Sequence, residues 1–258
     1  MSMLPVELAQ SADGPVLYAR VLDEGVVRAT SSHQHRRGQL FGALRGVLSV
    51  CADQGQWVVP ASQAVWIPSC REHALQSYGP FAGWSVYIAE SECGPLPSAP
   101  CLLRVSGLLR EAVLRAAQWP LAPLDPVRQR VAEVILDEIR LLPRESAGLP
   151  IPRDPRLQKI AQALLGDLAD TRPLEEWAVW GGLALRTMSR RFVAETGFSV
   201  AQWRQRARLM RALEMLAEGR AVTTIALDLG YGNVSAFISM FKAFYGVTPA
   251  RYFEPVRT

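Results

Sequence analysis

Residues Gly181 to Gly219 read GGLALRTMSRRFVAETGFSVAQWRQRARLMRALEMLAEG, and the fold of the C-terminal part turns on how this run divides. The pair Gly181-Gly182 permits a tight turn, Gly197 is a natural helix stop, and Ser199 is placed to cap a new helix. In the short helix ending at Gly197, Met188 and Phe192 are four apart and form the buried side, with Leu183 in the turn. That leaves Arg186, Thr187, Ser189 and Arg190 facing out. The longer helix from Ser199 to Gly219 places Trp203, Met210, Leu213 and Ala217 on one side and Arg204, Arg208 and Arg211 on another, a core spacer with a basic flank.

Upstream, Thr171 is positioned to cap a helix with Pro173 near its first turn, running through LEEWAVW to the glycine pair. Downstream the pattern repeats. Val222 or Thr223 begins TIALDL, Gly230 makes the turn, Asn233 caps, and VSAFISMFKAFYG ends at Gly246 with Phe237, Phe241 and Phe244 inward. Helix, glycine turn, then a helix with a polar outer face is the arrangement in which the second helix enters the DNA major groove.

Charge agrees with that reading. The net +4 of this 258-residue chain is unevenly placed: residues 1 to 153 hold 14 Lys+Arg and 14 Asp+Glu, residues 154 to 258 hold 14 and 10. Residues 186 to 211 carry seven arginines against one acid, Glu195, a cation density suited to a polyanion face, although a solvated helical surface has the same composition.

Outward toward the N-terminus, LPRESAGLPIPRDP (Leu142 to Pro155) has four prolines and reads as a linker. Before it, Leu102 to Trp119 and Pro126 to Leu142 read as two helices. The second has Val127, Val131, Val134, Ile135 and Leu142 on one side, a stripe for its own domain or for a partner subunit. From Val16 to Glu90, short β-rich runs (VLYARVL, QLFGALRG, VLSVCA, QWVVP, AVWIP, WSVYIA) with evenly spaced turns indicate an antiparallel sandwich or small barrel. The 49% hydrophobic content suffices for two cores. Four cysteines without a Cys-x-x-Cys pair suit a reducing cytoplasm. Neither a secretory leader nor a membrane-spanning apolar run is found, so a soluble, cytoplasmic protein without a membrane partner is expected.

The elements RRF-x-x-x-TG-x-S, ALDLGY and F-x-x-x-FK-x-x-x-G-x-TPARY, in that order over residues 155 to 253, closely resemble the DNA-binding domain of the AraC/XylS family of bacterial transcription regulators. The resemblance implies base readers at Arg186, Ser189 and Arg190 on the first recognition helix, and at Val234, Ser235, Ile238 and Ser239 on the second. Thr187, Arg204, Arg208 and Lys242 complete the expected DNA-binding set. Arginine takes guanine O6 and N7 in a bidentate contact at about 1 to 3 kcal/mol. Valine and isoleucine touch only thymine methyls or fill space, so the second helix is expected to be the weaker reader. Where the family usually caps the first recognition helix with Ser or Thr, this chain has Ala184, and its turn is richer in glycine than usual.

The chain's three histidines are His33, His35 and His73. His33-x-His35 with Gln39 and Gly46, then Pro68-x-Cys70-x-x-His73, resembles the two metal motifs of the cupin barrels, with Gln39 where a cupin has glutamate. GQWVVP and AVWIPxxxxH also look like the sensor domain of one AraC subgroup. If His33 and His35 alternate on one strand they share a face, which His73 completes from a neighbouring strand. Two readings stay open: hydrogen-bonding walls of a small-molecule effector pocket (His33, His35, Gln39, Trp66, His73), or a site for a divalent first-row transition metal held by the three imidazoles and the Gln39 amide oxygen. Trp57, Trp84 and Tyr87 are further candidate walls. Catalysis ranks below both, because no general-base carboxylate accompanies the triad and Glu72 sits on the opposite face of its strand.

The expected fold is α+β in two domains: an N-terminal cupin-like antiparallel β-barrel followed by helices, and a C-terminal all-α double helix-turn-helix. The expected divisions are a sensor barrel over 1–100, a helical dimerisation segment over 101–143, a linker over 144–154 and a DNA-binding domain over 155–258. The expected partners are a double-stranded operator, a small-molecule or metal effector, a second copy of the chain and, for an activator, RNA polymerase. The rival reading is a metal-dependent cupin enzyme, a dioxygenase or isomerase, with an accessory helical domain.

Overall fold

A computed structural model describes residues 4–23, 29–53, 55–60, 63–145 and 148–253. The chain divides into two compact units, Met1–Gly148 and Leu149–Thr258.

In the first unit, a short helix α1 (Val6–Gln10) precedes β1 (Leu17–Asp23), β2 (Gly38–Ala52), β3 (Gly55–Val59), β4 (Gln63–Ile67) and β5 (His73–Ile88). Then come β6 (Cys101–Arg104), α2 (Gly107–Ala116), α3 (Pro126–Leu141) and β7 (Arg144–Glu145). The sheet is antiparallel in the order β1-β5-β2-β4-β6-β7, with β3 on β2. Strands β2 and β5 are longer than the sequence runs suggested: QLFGALRG and VLSVCA are one strand, kinked by register shifts between Ala43 and Val47. Residues 102–119 are not one helix. Cys101–Arg104 pairs with β4, and α2 begins only after Ser106, whose side chain accepts from the Leu109 amide. A polar residue placed to cap outweighs the apolar periodicity upstream.

Side-chain alternation splits the sheet into two faces. Leu40, Ala64, Trp66, Trp84, Val86 and Leu103 pack with Val113, Ile135, Leu136 and Ile139 of α2 and α3. Phe41, Leu48, Val50, Val65, Ile67, Leu75 and Leu102 form a separate core on the other face. Glycine at 42 is compulsory for the first packing, because a Cβ there would lie 2.2 Å from the Trp84 ring. The stripe expected on α3 is rotated: Ala132, Ile135, Leu136 and Ile139 are buried, whereas Val127 is 58% and Val134 38% exposed.

Arg37 is fully buried and meets no carboxylate among the described residues. Its guanidinium donates to the carbonyls of Leu8 (3.1 Å), Asp13 (2.9 Å) and Pro15 (2.9 Å), and lies 4.6 Å above the Tyr18 ring. A buried charge survives only with such compensation; here it fastens the N-terminal segment beside β2.

The second unit is helical: α4 (Pro155–Gly166), α5 (Leu174–Trp180), α6 (Leu185–Thr196), α7 (Val200–Ala217), α8 (Val222–Asp228) and α9 (Val234–Tyr245), then a single 3-10 turn Pro249–Arg251. Trp177, Phe192, Trp203, Phe237 and Phe241 are fully buried, with Phe192 edge-on to Trp203 at 5.7 Å. Phe244 is not inward as expected but 44% exposed. Thr171 does not cap α5; Pro173 occupies that position with no side-chain bond.

Candidate nucleic-acid interface and histidine cluster

The two helix-turn-helix units close in the same way. Between α5 and α6, the amides of Gly182 and Leu183 reach the carbonyls of Val179 and Ala178; between α8 and α9, those of Gly230 and Tyr231 reach Leu227 and Ala226. Gly182 (φ +66°) and Gly230 (φ +75°) both sit in the left-handed region these turns require. The extra glycine of the first turn does not disturb this closure. At Gly230 a side chain is also excluded by space, since its Cβ would come 2.8 Å from Ala169 Cα.

Both recognition helices end at left-handed glycines, Gly197 and Gly246. They begin differently. The Asn233 side chain accepts from the Ala236 amide, whereas Ala184 at the corresponding place on α6 makes no side-chain bond. Ala184→Ser is therefore expected to raise the stability of the helical unit by about 1 kcal/mol, read as a shift of the denaturant midpoint. No shift would mean that the start of α6 is already held by other contacts.

The arginine-rich run sorts into distinct roles. Arg191 pairs with Asp154 at 2.8 Å, and Arg211 with Glu214 at 3.0 Å. Arg206 lies over the rings of Phe198 (4.5 Å) and Phe244 (5.4 Å). Arg208 Nε donates to the Leu168 carbonyl at 2.8 Å, and Arg204 donates to the Asp170 carbonyl. The half-buried Arg204 and Arg208 thus prop the loop leading to α5. Arg186 and Arg190 are exposed and have no hydrogen-bond or ion-pair partner among the described residues. Thr187 and Ser189 are half-buried beside them, over the buried Met188 and Phe192.

On α9, Val234 and Ile238 are half-buried at the edge of the Phe237 and Phe241 stripe, and Ser235, Ser239 and Lys242 are exposed farther round the helix. The lone acid Glu195 has a role that spacing did not suggest. It accepts from the amides of Arg153 (2.6 Å) and Asp154 (3.0 Å), tying the start of α4 to the end of α6.

In the first unit the three histidines meet. His33 and His35 lie in the segment before β2, not on one strand as expected, and His33 forms an antiparallel bridge with His73 at the start of β5. One ligand nitrogen from each of the three rings lies within 4.8 Å of the others. Each Nδ1 contacts a carbonyl oxygen: Ser31 for His33 (2.8 Å), Arg37 for His35 (2.7 Å) and Arg71 for His73 (2.8 Å). A carbonyl only accepts, so each neutral ring carries its proton on Nδ1 and offers the Nε2 lone pair. Gln39 Oε1 lies 2.8 Å from His35 Nε2 and 3.2 Å from His73 Nε2, and Gln39 Nε2 donates to Ser85 Oγ at 2.7 Å. Acceptors therefore face acceptors. A cation satisfies them all, and so does the Gln39 amide turned over, with its NH2 toward the rings and Ser85 donating to its oxygen.

Burial lowers the pKa of His73 from 6.5 to about 4, with repulsion from His35 and His33 adding to it. Burial also lowers that of His35. Both rings are neutral at physiological pH, as metal ligands must be. Tyr87 stands 5.4 Å from His35 and Phe41 6.0 Å from His73. Trp66 does not join them. It belongs to the face that packs on α2 and α3, its Nε1 donating to the Pro97 carbonyl at 2.8 Å, and Trp84 shares that face. Neither is a wall of the histidine cluster; aromatic content alone gives no face. Parity along β2 and β4 does, since Gln39 pairs with Ile67 and Leu40 with Trp66. The three-histidine group includes no carboxylate.

Comparison with known proteins agrees with the C-terminal geometry. A helix-turn-helix domain family matches residues 181–254. The HTH-type transcriptional regulator NimR of Escherichia coli (strain K12) is 34% identical over 227 residues, covering 88% of this chain and 83% of its own length. The chain belongs to the AraC/XylS family of transcription regulators. As such it is a sequence-specific DNA-binding regulator. The regulator RipA of Corynebacterium glutamicum is 31% identical over 103 residues, 40% of this chain and 31% of its own. Among solved structures, ToxT from Vibrio cholerae O395 aligns over 92% of this chain and 96% of its own, at 11% identity and a TM-score of 0.40. Among the described residues no helix is long and apolar enough to cross a membrane.

Proposed function

We propose that this regulator binds its operator mainly through Arg186 and Arg190 of α6, with Thr187 and Ser189 beside them, and that α9 contributes Val234, Ser235, Ile238, Ser239 and, toward the phosphates, Lys242. The observation that carries this is selective: of seven arginines in the run, the two on the outer face of α6 are the two left unpartnered among the described residues. Enrichment of random duplexes on the purified chain, followed by affinity measured against salt, tests it. A shared site and a linear fall of log affinity with log salt are expected, and absence of any preferred sequence would refute it.

We further propose that residues 1–100 are a cupin-like sensor, that 144–154 link it to the DNA-binding domain 155–258, and that the effector site is the cluster His33, His35, Gln39 and His73. The donor set fits a divalent first-row metal: three Nε2 lone pairs fixed by carbonyl-bound Nδ1 atoms, and a neutral amide oxygen. Such an ion would supply a Lewis-acidic point for an effector. This chain's residues orient the rings and keep them neutral. Elemental analysis of the chain as purified, beside His73→Ala, is the test. Near-stoichiometric metal in the first and at least tenfold weaker binding in the second are expected; equal, negligible metal in both would leave the turned-over amide as the answer.

The protein is proposed to act in the cytoplasm as a homodimer, to touch RNA polymerase if it activates, and not to be an enzyme. An open groove of about 710 Å³ between α2 and α3, where Leu108, Val127, Val131 and Val134 lie among Glu111, Arg115 and Arg130, supports dimerisation through the helical segment within 101–143.

A further inference from the structure

Arg206 on α7 answers to neither a carboxylate nor a carbonyl among the described residues. Its guanidinium carbon lies 4.5 Å from the centre of the Phe198 ring and 5.4 Å from that of Phe244. Its Nη1 is buried with no hydrogen-bond partner among the described residues. A cation taken out of water without an acceptor is costly, and ring faces are what compensates it here.

The two rings stand at matching places. Phe198 follows Gly197, the left-handed stop of α6, and is tied back to that helix through Thr196, whose Oγ1 accepts from the Phe198 amide at 3.2 Å and donates to the Phe192 carbonyl at 2.6 Å. Phe244 lies in the last turn of α9, just before its own left-handed stop, Gly246. It does not join the buried Phe237 and Phe241 but stays 44% exposed, and Arg206 is what it meets. One side chain of α7 therefore touches the C-terminal end of each recognition helix.

We infer that Arg206 is a positioning residue: by holding Phe198 and Phe244 on one guanidinium it fixes the separation of α6 and α9, and with it the spacing of the two operator segments that the regulator accepts. This rests on the docking of both helices in the major groove proposed for α6 and α9. Successive groove segments are about one helical turn, roughly 10 base pairs, apart, so one base pair added between them rotates the second by about a tenth of a turn. A clamped pair of helices cannot follow that rotation, and a loosened pair can. Arg206 itself needs no contact with DNA.

The experiment uses the full chain and its enriched duplex, beside duplexes with one base pair inserted or removed between the segment coupled to Arg186 and the remainder of the site. The parent is expected to lose at least about tenfold in affinity on either change, the size of one or two lost base contacts. In Arg206→Met, which keeps length and packing but no charge, that penalty should shrink by at least about threefold, with base choice inside each segment unchanged. Phe244→Leu should do the same, and the double variant should add nothing further, since both remove one contact. Arg206→Lys, which keeps the charge but not the planar face, should fall between parent and Arg206→Met. Melting temperatures taken alongside separate positioning from stability. A variant that melts lower yet keeps the parent's spacing penalty, one that loses affinity equally on all three duplexes, or a parent that accepts all three spacings alike overturns the inference and leaves the docking reading in place. A chain that enriches no sequence at all overturns both.

Discussion

Taking the metal-free protein from pH 6.5 to pH 4 is expected to cost its N-terminal unit about 3 kcal/mol through His73 alone. The folded-state pKa of His73 is lowered from 6.5 to about 4. The unfolded chain therefore takes up a proton across that interval that the folded chain refuses. Stability is complete above pH 6.5, declines as pH falls toward 4, and changes no further through this group below that value. Each pH unit of difference is worth about 1.4 kcal/mol. His35, lowered in the same direction by burial, adds to the slope. The measurement is a urea midpoint series against pH in a chelator, for the parent and for His73→Leu, whose hydrocarbon side chain faces the buried Phe41. The parent should lose the extra stability between pH 6.5 and 4; the variant should show a flatter profile. Identical slopes would mean that His73 is solvated and that the cluster is not a dry site.

Substituting the free arginines should separate cleanly from substituting the tethered ones. Arg186→Ala or Arg190→Ala is expected to lower discrimination against a wrong base by about 1 to 3 kcal/mol each, a factor of roughly ten to a hundred, with the melting temperature unchanged. Arg208→Ala removes a charged donor from the Leu168 carbonyl and should cost about 1.5 to 3 kcal/mol of stability, as should Arg204→Ala at the Asp170 carbonyl. Binding affinity for all sequences would then fall together as the loop before α5 loosens. The checks are enrichment profiles for the first pair and denaturant midpoints for the second. If all four variants relax base choice alike, the division of labour is wrong.

The one acid of the arginine-rich run is structural. Glu195 receives two backbone amides at the start of α4, and Arg191 engages Asp154. The chain entering the helical unit is thereby fixed to the far end of the first recognition helix.

How much of this was legible in the sequence varies with the range of the determining interaction. The ends of α6, α7 and α9 were readable because caps and left-handed glycines act within a few residues: Ser199, Gly197, Asn233 and Gly246 all behave as their types require. The burial of Met188 and Phe192 followed from spacing on one helix. That Arg186 and Arg190 face out followed from spacing, whereas the loop-holding bonds of Arg204 and Arg208 did not, because the carbonyls that accept them are 34 and 40 residues away.

For the first unit, composition and alternation announced strands, and the three histidines with Gln39 announced a cluster. Their convergence depends on β5 bringing His73 back beside His33, a pairing across 40 residues that no local pattern encodes. Trp66 shows the limit most plainly, since a side chain's face is fixed by register, and a shift of one residue would reverse it. Local propensity and periodicity thus settled the C-terminal helices, the double motif and the donor types. Tertiary structure alone decided which donors meet, which charges are spent on holding loops, and which remain for a ligand, because hydrogen bonds and burial are allocated between segments distant in the chain.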